Sequence, residues 1–294
     1  MKPAPFAYSA PASLPEALEA LAEHSHDAKL LAGGQSLIPA MNFRVTGPAM
    51  LIDLNRIESL SFIRREADGS LRIGAMTRQR AVERSLDVQQ GWSLLAEAMP
   101  HVAHPQIRNR GTVGGSLVHA DPAAELPVVM AALGAEFVLI SVRGERRMAA
   151  REFFQSLFTV DAQPDEILTE IVIPPVPDST GSAFLEVARR RGDYAMMGIA
   201  AVVSVGADGA CQSATLVYLN AGEKPVIAVK AAESLAGSRG GDAAIVDAAR
   251  MASQAEIAPT GNLHASADYQ RHLADVLTRR ALKLAFERAG NPHG

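Results

Sequence analysis

The fold prediction rests on Gly-Thr-Val-Gly-Gly-Ser at residues 111–116, together with a second glycine-rich turn, Ala-Gly-Gly-Gln-Ser, at residues 32–36. Glycine allows positive φ and has no Cβ, so a ligand can approach the peptide N–H groups closely. Consecutive N–H groups in such a turn form a concave site for an anion, and a following helix N-terminus adds partial positive charge. We therefore expect the two turns to converge and bind one diphosphate between them.

Each turn taken singly is also compatible with an ordinary tight turn that binds nothing. Neither matches the dinucleotide fingerprint G-x-G-x-x-G or the P-loop G-x-x-x-x-G-K-[ST]. A standard Rossmann NAD site and an ATPase are therefore disfavoured.

The elements around the first turn predict a small parallel sheet. Ser13 with Glu16 forms a capping-box pattern at the start of an amphipathic helix. Residues 29–32 and 50–54 are short apolar runs typical of buried strands, and Ser36 is a candidate cap for a short helix between them. Strand–helix–strand alternation with short connections favours parallel pairing.

The following residues predict a mixed, mainly antiparallel α+β region. Asp68-Gly69 is typical of a two-residue hairpin turn, and residues 92–99 have helical periodicity. Asp121 and Pro122 indicate the start of a helix that Gly134 ends. Strands are predicted over residues 136–142 and 167–173.

The last third of the chain predicts an antiparallel hairpin followed by helices. Three prolines within residues 174–181 indicate a domain boundary. Asp208-Gly209 predicts a second hairpin, and helices are expected over residues 242–255 and 266–289.

Composition excludes several classes of protein. The 294 residues carry 28 Lys+Arg and 32 Asp+Glu, a net charge of -4, which disfavours general nucleic-acid binding. Cys211 is the only cysteine, so this chain alone can form neither a disulfide nor a cysteine-ligated iron–sulfur cluster. No apolar run reaches the ~20 residues of a membrane span, and no signal peptide is recognised. A cytoplasmic protein is expected.

The two turns and their surroundings resemble a known family. Ala-Gly-Gly-Gln-Ser-Leu at 32–37, Asn-Arg-Gly-Thr-Val-Gly-Gly-Ser-Leu at 109–117 and His-Ala-Asp-Pro-Ala-Ala-Glu-Leu-Pro at 119–127 resemble the FAD-binding medium subunit of the molybdenum hydroxylases. That family includes xanthine dehydrogenase and aerobic carbon monoxide dehydrogenase. Residues 167–171, 188–195 and 268–282 extend the likeness over nearly the whole chain.

The resemblance implies an α+β fold: a two-lobed vanillyl-alcohol-oxidase (PCMH)-type FAD-binding fold and a C-terminal domain of antiparallel sheet and helices. The predicted domains are residues 1–55 (first lobe, a small βαβ sheet), 56–176 (second lobe, a mixed or antiparallel sheet with helices) and 177–294 (C-terminal flavoprotein domain). FAD would lie in the cleft between the lobes.

The resemblance also assigns residues to FAD, and none to catalysis or metal binding. The two turns would hold the pyrophosphate, Val102 and Ala103 would lie near the ring system, and Leu168 would pack near flavin or adenine. Asp121 or Glu125 would accept hydrogen bonds from FAD hydroxyl or amino groups, and Tyr194 would cover one flavin face. The turn residues are Ala32, Gly33, Gly34, Gln35, Ser36, Leu37, Gly111, Thr112, Gly114, Gly115 and Ser116.

The expected cofactor is noncovalent FAD. His101 and His104 lie near the presumed site, but nothing supports a covalent flavin bond, and no third ligand accompanies them for a metal. The resemblance places a molybdenum cofactor on a large partner subunit and two iron–sulfur clusters on a small one, in a heterotrimer that doubles. A run of three arginines such as Arg189-Arg190-Arg191 is typical of a solvated surface, and it can also pair with carboxylates of a partner.

The implied function is electron transfer. This subunit would take electrons from the iron–sulfur clusters and pass them through FAD to an external acceptor. The alternatives are a self-sufficient flavin oxidase or reductase of the same fold, and a nucleotide-binding module without redox function. Carbon monoxide, an N-heteroaromatic and an aldehyde all remain open as the substrate of the complex.

Overall fold

The computed structural model describes residues 2–24 and 26–290, and begins with a three-stranded parallel sheet. Strand β3 lies between β1 and β2 and is parallel to both, as the sequence predicts. The sequence analysis missed β1, which is only three residues long. The elements are β1 (Ala7–Ser9), α1 (Leu14–Glu23), β2 (Ala28–Leu31), α2 (Leu37–Asn42) and β3 (Met50–Asp53).

The two helix caps of this lobe differ. The Ser13 hydroxyl accepts from the Glu16 amide and donates to its carboxylate, so the capping box is confirmed. Ser36 lies at the start of α2, but it has helical φ and ψ and makes no capping hydrogen bond through its side chain. The predicted cap at Ser36 is therefore wrong.

The middle region contains a five-stranded antiparallel sheet in the order β4-β5-β10-β6-β7. The hairpin at Asp68-Gly69 is confirmed, with Gly69 at φ +85° between β4 and β5. The strands are β4 (Ile63–Arg65), β5 (Leu71–Gly74), β6 (Glu136–Ser141), β7 (Gly144–Ala149), β8 (Phe154–Ser156), β9 (Thr159–Val160) and β10 (Ile167–Ile173). The helices are α3 (Gln79–Arg84), α4 (Leu86–Gly91), α5 (Ser93–Ala98), α6 (Pro105–Arg108), α7 (Val113–His119), α8 (Glu125–Ala132) and α9 (Ala150–Phe153).

Two helix boundaries in this region differ from prediction. Trp92 lies outside α5, because its φ of -136° is not helical and interrupts the helical conformation between α4 and α5. The helix predicted from Asp121 begins only at Glu125, because the Asp121 carboxylate accepts from the Ala123 amide and forms a turn before the helix. Gly134, at φ +66°, follows its end as expected.

The C-terminal region is a four-stranded antiparallel sheet, in the order β11-β12-β13-β14, with three helices. Gly209 forms the predicted hairpin turn between β12 and β13 at φ +76°. The elements are β11 (Thr180–Ala188), β12 (Ala195–Val205), β13 (Cys211–Leu219), β14 (Val226–Ile227), α10 (Val229–Glu233), α11 (Asp242–Met251) and α12 (Ala267–Gly290). The α+β prediction is confirmed, whereas the domain limits at 55/56 and 176/177 stay predictions.

The C-terminal sheet uses both of its faces. Alternate side chains such as Ile199 and Tyr218 pack with α12, while their neighbours Ala200 and Val217 join the core of the middle region. Successive strand residues point to opposite faces, which makes this double packing possible. The sheet is therefore fixed against α5 and α8, and the loop that precedes β12 is held beside the middle region. Within the described ranges, no helix is long and apolar enough to cross a membrane.

Candidate functional site

The two glycine turns lie directly against each other. A Cβ built on Gly33 would lie 2.5 Å from the Arg110 carbonyl oxygen and 2.8 Å from Gly111 Cα. A Cβ on Gly115 would lie 3.4 Å from Ala32 Cβ. Backbones can approach this closely only where no side chain intervenes. The turns therefore converge, although almost eighty residues separate them in the sequence.

The first turn offers unused backbone donors. The amides of Gly33, Gly34, Gln35 and Ser36 find no backbone acceptor among residues 2–24 and 26–290. Gly34, at φ +72°, turns the chain, and the Gln35 side chain supports the turn by donating to the Gly33 carbonyl oxygen at 3.0 Å. Partly exposed N–H groups in series are what an anion requires. This turn can therefore bind a phosphate group through its backbone.

The second segment is built differently, because all of its amides except that of Thr112 donate to acceptors within the described residues. Thr112 caps α7 and fixes the glycines that follow it. A Cβ on Gly114 would lie 2.5 Å from Ala75 Cβ, so glycine is required there for packing. The segment therefore forms a fixed wall against the first turn. Its amides of Gly111, Gly114 and Gly115 donate to Ile107 O, Ala75 O and Thr112 Oγ1 at 2.7, 2.8 and 3.1 Å.

A chain of side-chain hydrogen bonds joins the two turns from behind. Asn55 Nδ2 donates to the Ala32 carbonyl oxygen at 2.8 Å, and Asn55 Oδ1 accepts from the Arg78 guanidinium at 2.6 Å. A second guanidinium nitrogen of Arg78 donates to the Arg110 carbonyl oxygen. Burial, and next the Arg110 cation, lower the pKa of Arg78. The sequence analysis identified neither Asn55 nor Arg78.

Asp53 anchors this chain to the parallel sheet. Its Oδ1 accepts from the Asn55 amide at 2.9 Å, and its Oδ2 accepts from the Tyr8 hydroxyl on the neighbouring edge strand at 2.6 Å. Burial alone would raise the pKa of Asp53, but the donors from Tyr8 and Asn55 outweigh it and lower the pKa. Asp53 is therefore a carboxylate at neutral pH, and it holds Asn55 in one orientation.

A second group of predicted residues lies beyond the far end of α7. This helix has seven residues, which at 1.5 Å per residue separates its ends by about 10 Å. Glu125 is only 7% exposed, and burial, followed by the charge of Glu186, raises its pKa to about 8. Its carboxyl group therefore carries a proton at neutral pH, and can donate a hydrogen bond to a ligand as well as accept one.

Tyr194 extends from the loop between β11 and β12 towards this group. The residue is 72% exposed. Partial burial, and then the carboxyl groups of Asp121 and Glu125, raise the pKa of Tyr194. Within the same loop, Gly192 packs so closely on His104 that a Cβ would lie 2.3 Å from Nδ1. The structure thus brings Tyr194, Asp121 and Glu125 together.

A buried arginine holds the turn at Val102 and Ala103. Arg108 donates to their carbonyl oxygens at 2.8 and 3.1 Å, and Ala103 adopts φ +45°. The same guanidinium makes two bonds of 2.9 Å to the Glu83 carboxylate. Hydrogen bonds from Arg108, and to a smaller extent from Arg80, lower the pKa of Glu83. Sequence reasoning missed this pair, because nothing in the local pattern relates residues 83 and 108.

Leu168 and the histidines stand apart from the turns. Leu168 is 5% exposed and belongs to the core of the middle region, on β10 opposite Leu139 of β6. His101 Nδ1 lies 3.0 Å from the Glu186 carboxylate. In the described part of the chain, no three His, Cys, Asp or Glu side chains lie close enough to hold a metal ion.

Two family models match the chain in succession. The FAD binding domain in molybdopterin dehydrogenase matches residues 4–176. The CO dehydrogenase flavoprotein C-terminal domain matches residues 182–285.

Relatives match over nearly the full length. The chain is 40% identical to the 6-hydroxypseudooxynicotine dehydrogenase complex subunit alpha of Paenarthrobacter nicotinovorans, over 98% of this chain and 97% of that protein. It is 36% identical to the carbon monoxide dehydrogenase medium chain of Afipia carboxidovorans, over 99% and 100%. A solved carbon monoxide dehydrogenase from Hydrogenophaga pseudoflava, which lacks the Mo-pyranopterin moiety of the molybdenum cofactor, superposes with a TM-score of 0.94 at 37% identity, covering 98% of this chain and 99% of that one.

We predict that Gly33→Ala weakens FAD binding. The new methyl group would meet the Arg110 carbonyl and push the turns apart. Forcing a methyl group into a packed site costs about 1–3 kcal/mol, which corresponds to a loss of about 5- to 150-fold in FAD affinity. Quenching of flavin fluorescence measures this affinity. Gly47→Ala is the matched control, since a Cβ there has no neighbour within 4 Å. Equal affinities for the two variants would contradict the prediction.

We also predict that Glu125→Gln flattens the dependence of stability on pH. The pKa of Glu125 rises from 4.5 in the unfolded chain to about 8 in the folded one, so the folded chain binds the extra proton between these values. This stabilisation is complete below about pH 4.5 and is lost as the pH rises through 8. Each unit of pKa difference is worth about 1.4 kcal/mol, so the loss amounts to several kcal/mol.

Urea unfolding of the FAD-free chain at pH 5, 7 and 8.5 tests this. The free energy of unfolding of the wild type should fall relative to that of Glu125→Gln as the pH rises. The exposed Glu152→Gln should follow the wild type. Parallel curves for the wild type and Glu125→Gln would show that Glu125 ionises normally.

Proposed function

The chain belongs to the family of FAD-binding medium subunits of the molybdenum-containing dehydrogenases, and we propose that it carries electrons through FAD from a partner subunit to an external acceptor. The proposal rests on the series of amides at residues 33–36 that have no acceptor within the described residues, and on the close packing of Gly33 against Arg110 and Gly111. FAD contains a diphosphate, which suits these donors.

The residues present fit FAD in three respects. The amides of residues 33–36 have no hydrogen-bond acceptor within the described part of the chain, as a diphosphate-binding turn requires. The glycines leave room for backbone and phosphate to meet without an intervening Cβ. A protonated carboxyl group and an exposed tyrosine, Glu125 and Tyr194, lie beyond the other end of α7, where they could contact a part of FAD other than the diphosphate.

Each predicted residue then has a role at one end of the cofactor. The amides of residues 33–36 would bind the diphosphate. The residues enclosing it would be Ala32, Leu37, Gly111, Thr112, Gly114, Gly115 and Ser116. Asp121 and Glu125 would hydrogen-bond hydroxyl or amino groups. Tyr194 would cover one flavin face, with Val102 and Ala103 near the ring system and Leu168 packing behind it. None of these residues needs to move a proton in catalysis.

When bound, FAD accepts electrons singly or in pairs, which allows one-electron iron–sulfur clusters to be coupled to a two-electron acceptor. We propose that these clusters and the molybdenum cofactor lie on small and large partner subunits, in a dimer of cytoplasmic heterotrimers. The binding would be noncovalent. The exposed Arg189, Arg190 and Arg191 border the loop that carries Tyr194 and would pair with carboxylates of a partner.

We predict one releasable FAD per chain and an electron route that depends on it. Acid precipitation of the purified chain should leave all the flavin in the supernatant. In the complete complex, Gly33→Ala should lower the FAD content and the reduction of an external acceptor in proportion. Substrate should still bleach the iron–sulfur absorption of the same sample, because those clusters lie before FAD.

Gly47→Ala serves again as the control. Undiminished acceptor reduction in an FAD-depleted complex would refute the proposed route. Oxidation of carbon monoxide, an N-heteroaromatic or an aldehyde by the isolated chain would instead favour a self-sufficient flavin oxidase.

A further inference from the structure

We propose that Asn55 and Arg78 are positioning residues, which orient the backbone amides of the first turn for the FAD diphosphate. The inference rests on the proposed function, because it concerns how the same cofactor is held. Its basis is the continuous series Ala32 O, Asn55, Arg78 and Arg110 O, in which two side chains bridge two distant turns.

The first step concerns one peptide unit. Asn55 Nδ2 holds the Ala32 carbonyl oxygen at 2.8 Å. The described chain has no cis peptide bonds, so the N–H of Gly33, in the same peptide plane, points away from Asn55. That N–H is the first of the free donors. Asn55 therefore fixes the direction of a donor that it does not itself contact.

The second step concerns the spacing of the turns. The Arg110 carbonyl oxygen, which accepts from Arg78, is the atom that packs against Gly33 Cα. The same guanidinium holds Asn55 Oδ1 at 2.6 Å. One planar group thus sets both the orientation of Asn55 and the position of the opposing turn. Arginine suits this role because its donors form a rigid fork, whereas lysine has a single nitrogen.

The third step is energetic. Asp53 fixes Asn55 through the Asn55 amide, so the series is anchored in the parallel sheet before any ligand arrives. A turn that is ordered beforehand loses less conformational freedom when it binds. Without Asn55 or Arg78, the first turn would keep its glycines and its donors but would lose their common direction.

The test compares full-length variants with their FAD removed and then restored. Asn55→Asp keeps an oxygen for Arg78 but replaces Nδ2, which donates to Ala32 O and to Asp53 Oδ1, with a charged carboxylate oxygen. Asn55→Ala removes the same donor without adding a negative charge, and is expected to weaken FAD binding likewise. Arg78→Gln removes the guanidinium group that donates to both Arg110 O and Asn55 Oδ1. Arg78→Lys retains the positive charge but has a single donor nitrogen. Arg64→Gln is the control, since Arg64 is an exposed arginine paired with Glu66. The measurements are the FAD dissociation constant, the phosphorus-31 NMR shifts of bound FAD, riboflavin binding and the melting temperature of the FAD-free chain.

We expect Asn55→Asp and Arg78→Gln to weaken FAD binding by 10-fold or more and to move the phosphorus resonances. Arg78→Lys should be intermediate, and the double variant should lose less than the product of the single losses, because both residues act in one series. Riboflavin, which has no phosphate, should bind each variant as it binds the wild type, and the melting temperature should stay close to the wild-type value. Arg64→Gln should change nothing.

Unchanged FAD affinity and phosphorus shifts in both variants would overturn the inference while leaving FAD binding by the wild type intact. A large fall in melting temperature, with FAD and riboflavin affinities reduced equally, would also overturn it, because the residues would then only stabilise the fold. If Arg78→Gln does not fold, Arg78→Lys and Asn55→Asp decide the outcome. A wild-type chain that takes up no FAD would refute the proposed function itself.

Discussion

The candidate site depends on the contact between Gly33 and the Arg110 carbonyl, where a Cβ would lie only 2.5 Å from the oxygen atom. This contact joins the parallel sheet of the first lobe to the antiparallel sheet of the second. The Ala32 and Arg110 carbonyl oxygens on its two sides accept from Asn55 and Arg78. Under the inference above, this arrangement directs the Gly33 N–H, so the capacity to bind an anion follows from how the two backbones meet.

Close packing also fixes the position of the loop that carries Tyr194. The C-terminal sheet packs α12 on one face and the middle region on the other, so its loop at residues 189–194 has a fixed base. Gly192 then seats that loop on His104, beside the turn that Arg108 holds. Tyr194 is therefore exposed, but the backbone that carries it is held in place. An exposed aromatic side chain on an anchored loop is suited to covering a flat ligand.

Sequence patterns predicted what depends on neighbouring residues, and failed where distant residues act together. The hairpins at Asp68-Gly69 and Asp208-Gly209 and the parallel sheet were predictable from local chemistry. Ser36 is not a side-chain cap because its own φ and ψ are already helical. Asp121 is not a cap because its carboxylate accepts from the Ala123 amide in a turn before the helix. Asn55 could have been found, since it follows a parallel strand beside the one that leads into the first turn. Arg78 and Arg108 had no such signal, because their side-chain partners Asn55 and Glu83 and the Arg110 carbonyl lie 23 to 32 residues away.

The charges at the two ends of the site suit the proposed role of holding FAD. At the turns, burial and next the Arg110 cation lower the pKa of Arg78, while the Asp53 carboxylate acts in the opposite direction. Two guanidinium groups beside the first turn favour a diphosphate there. Beyond α7, Glu125 carries a proton at neutral pH because it is buried near Glu186, so it would add no negative charge beside a bound flavin. A protein that holds FAD must bind its anionic end without opposing its reduction, and under the proposed function both ends of this site meet that requirement.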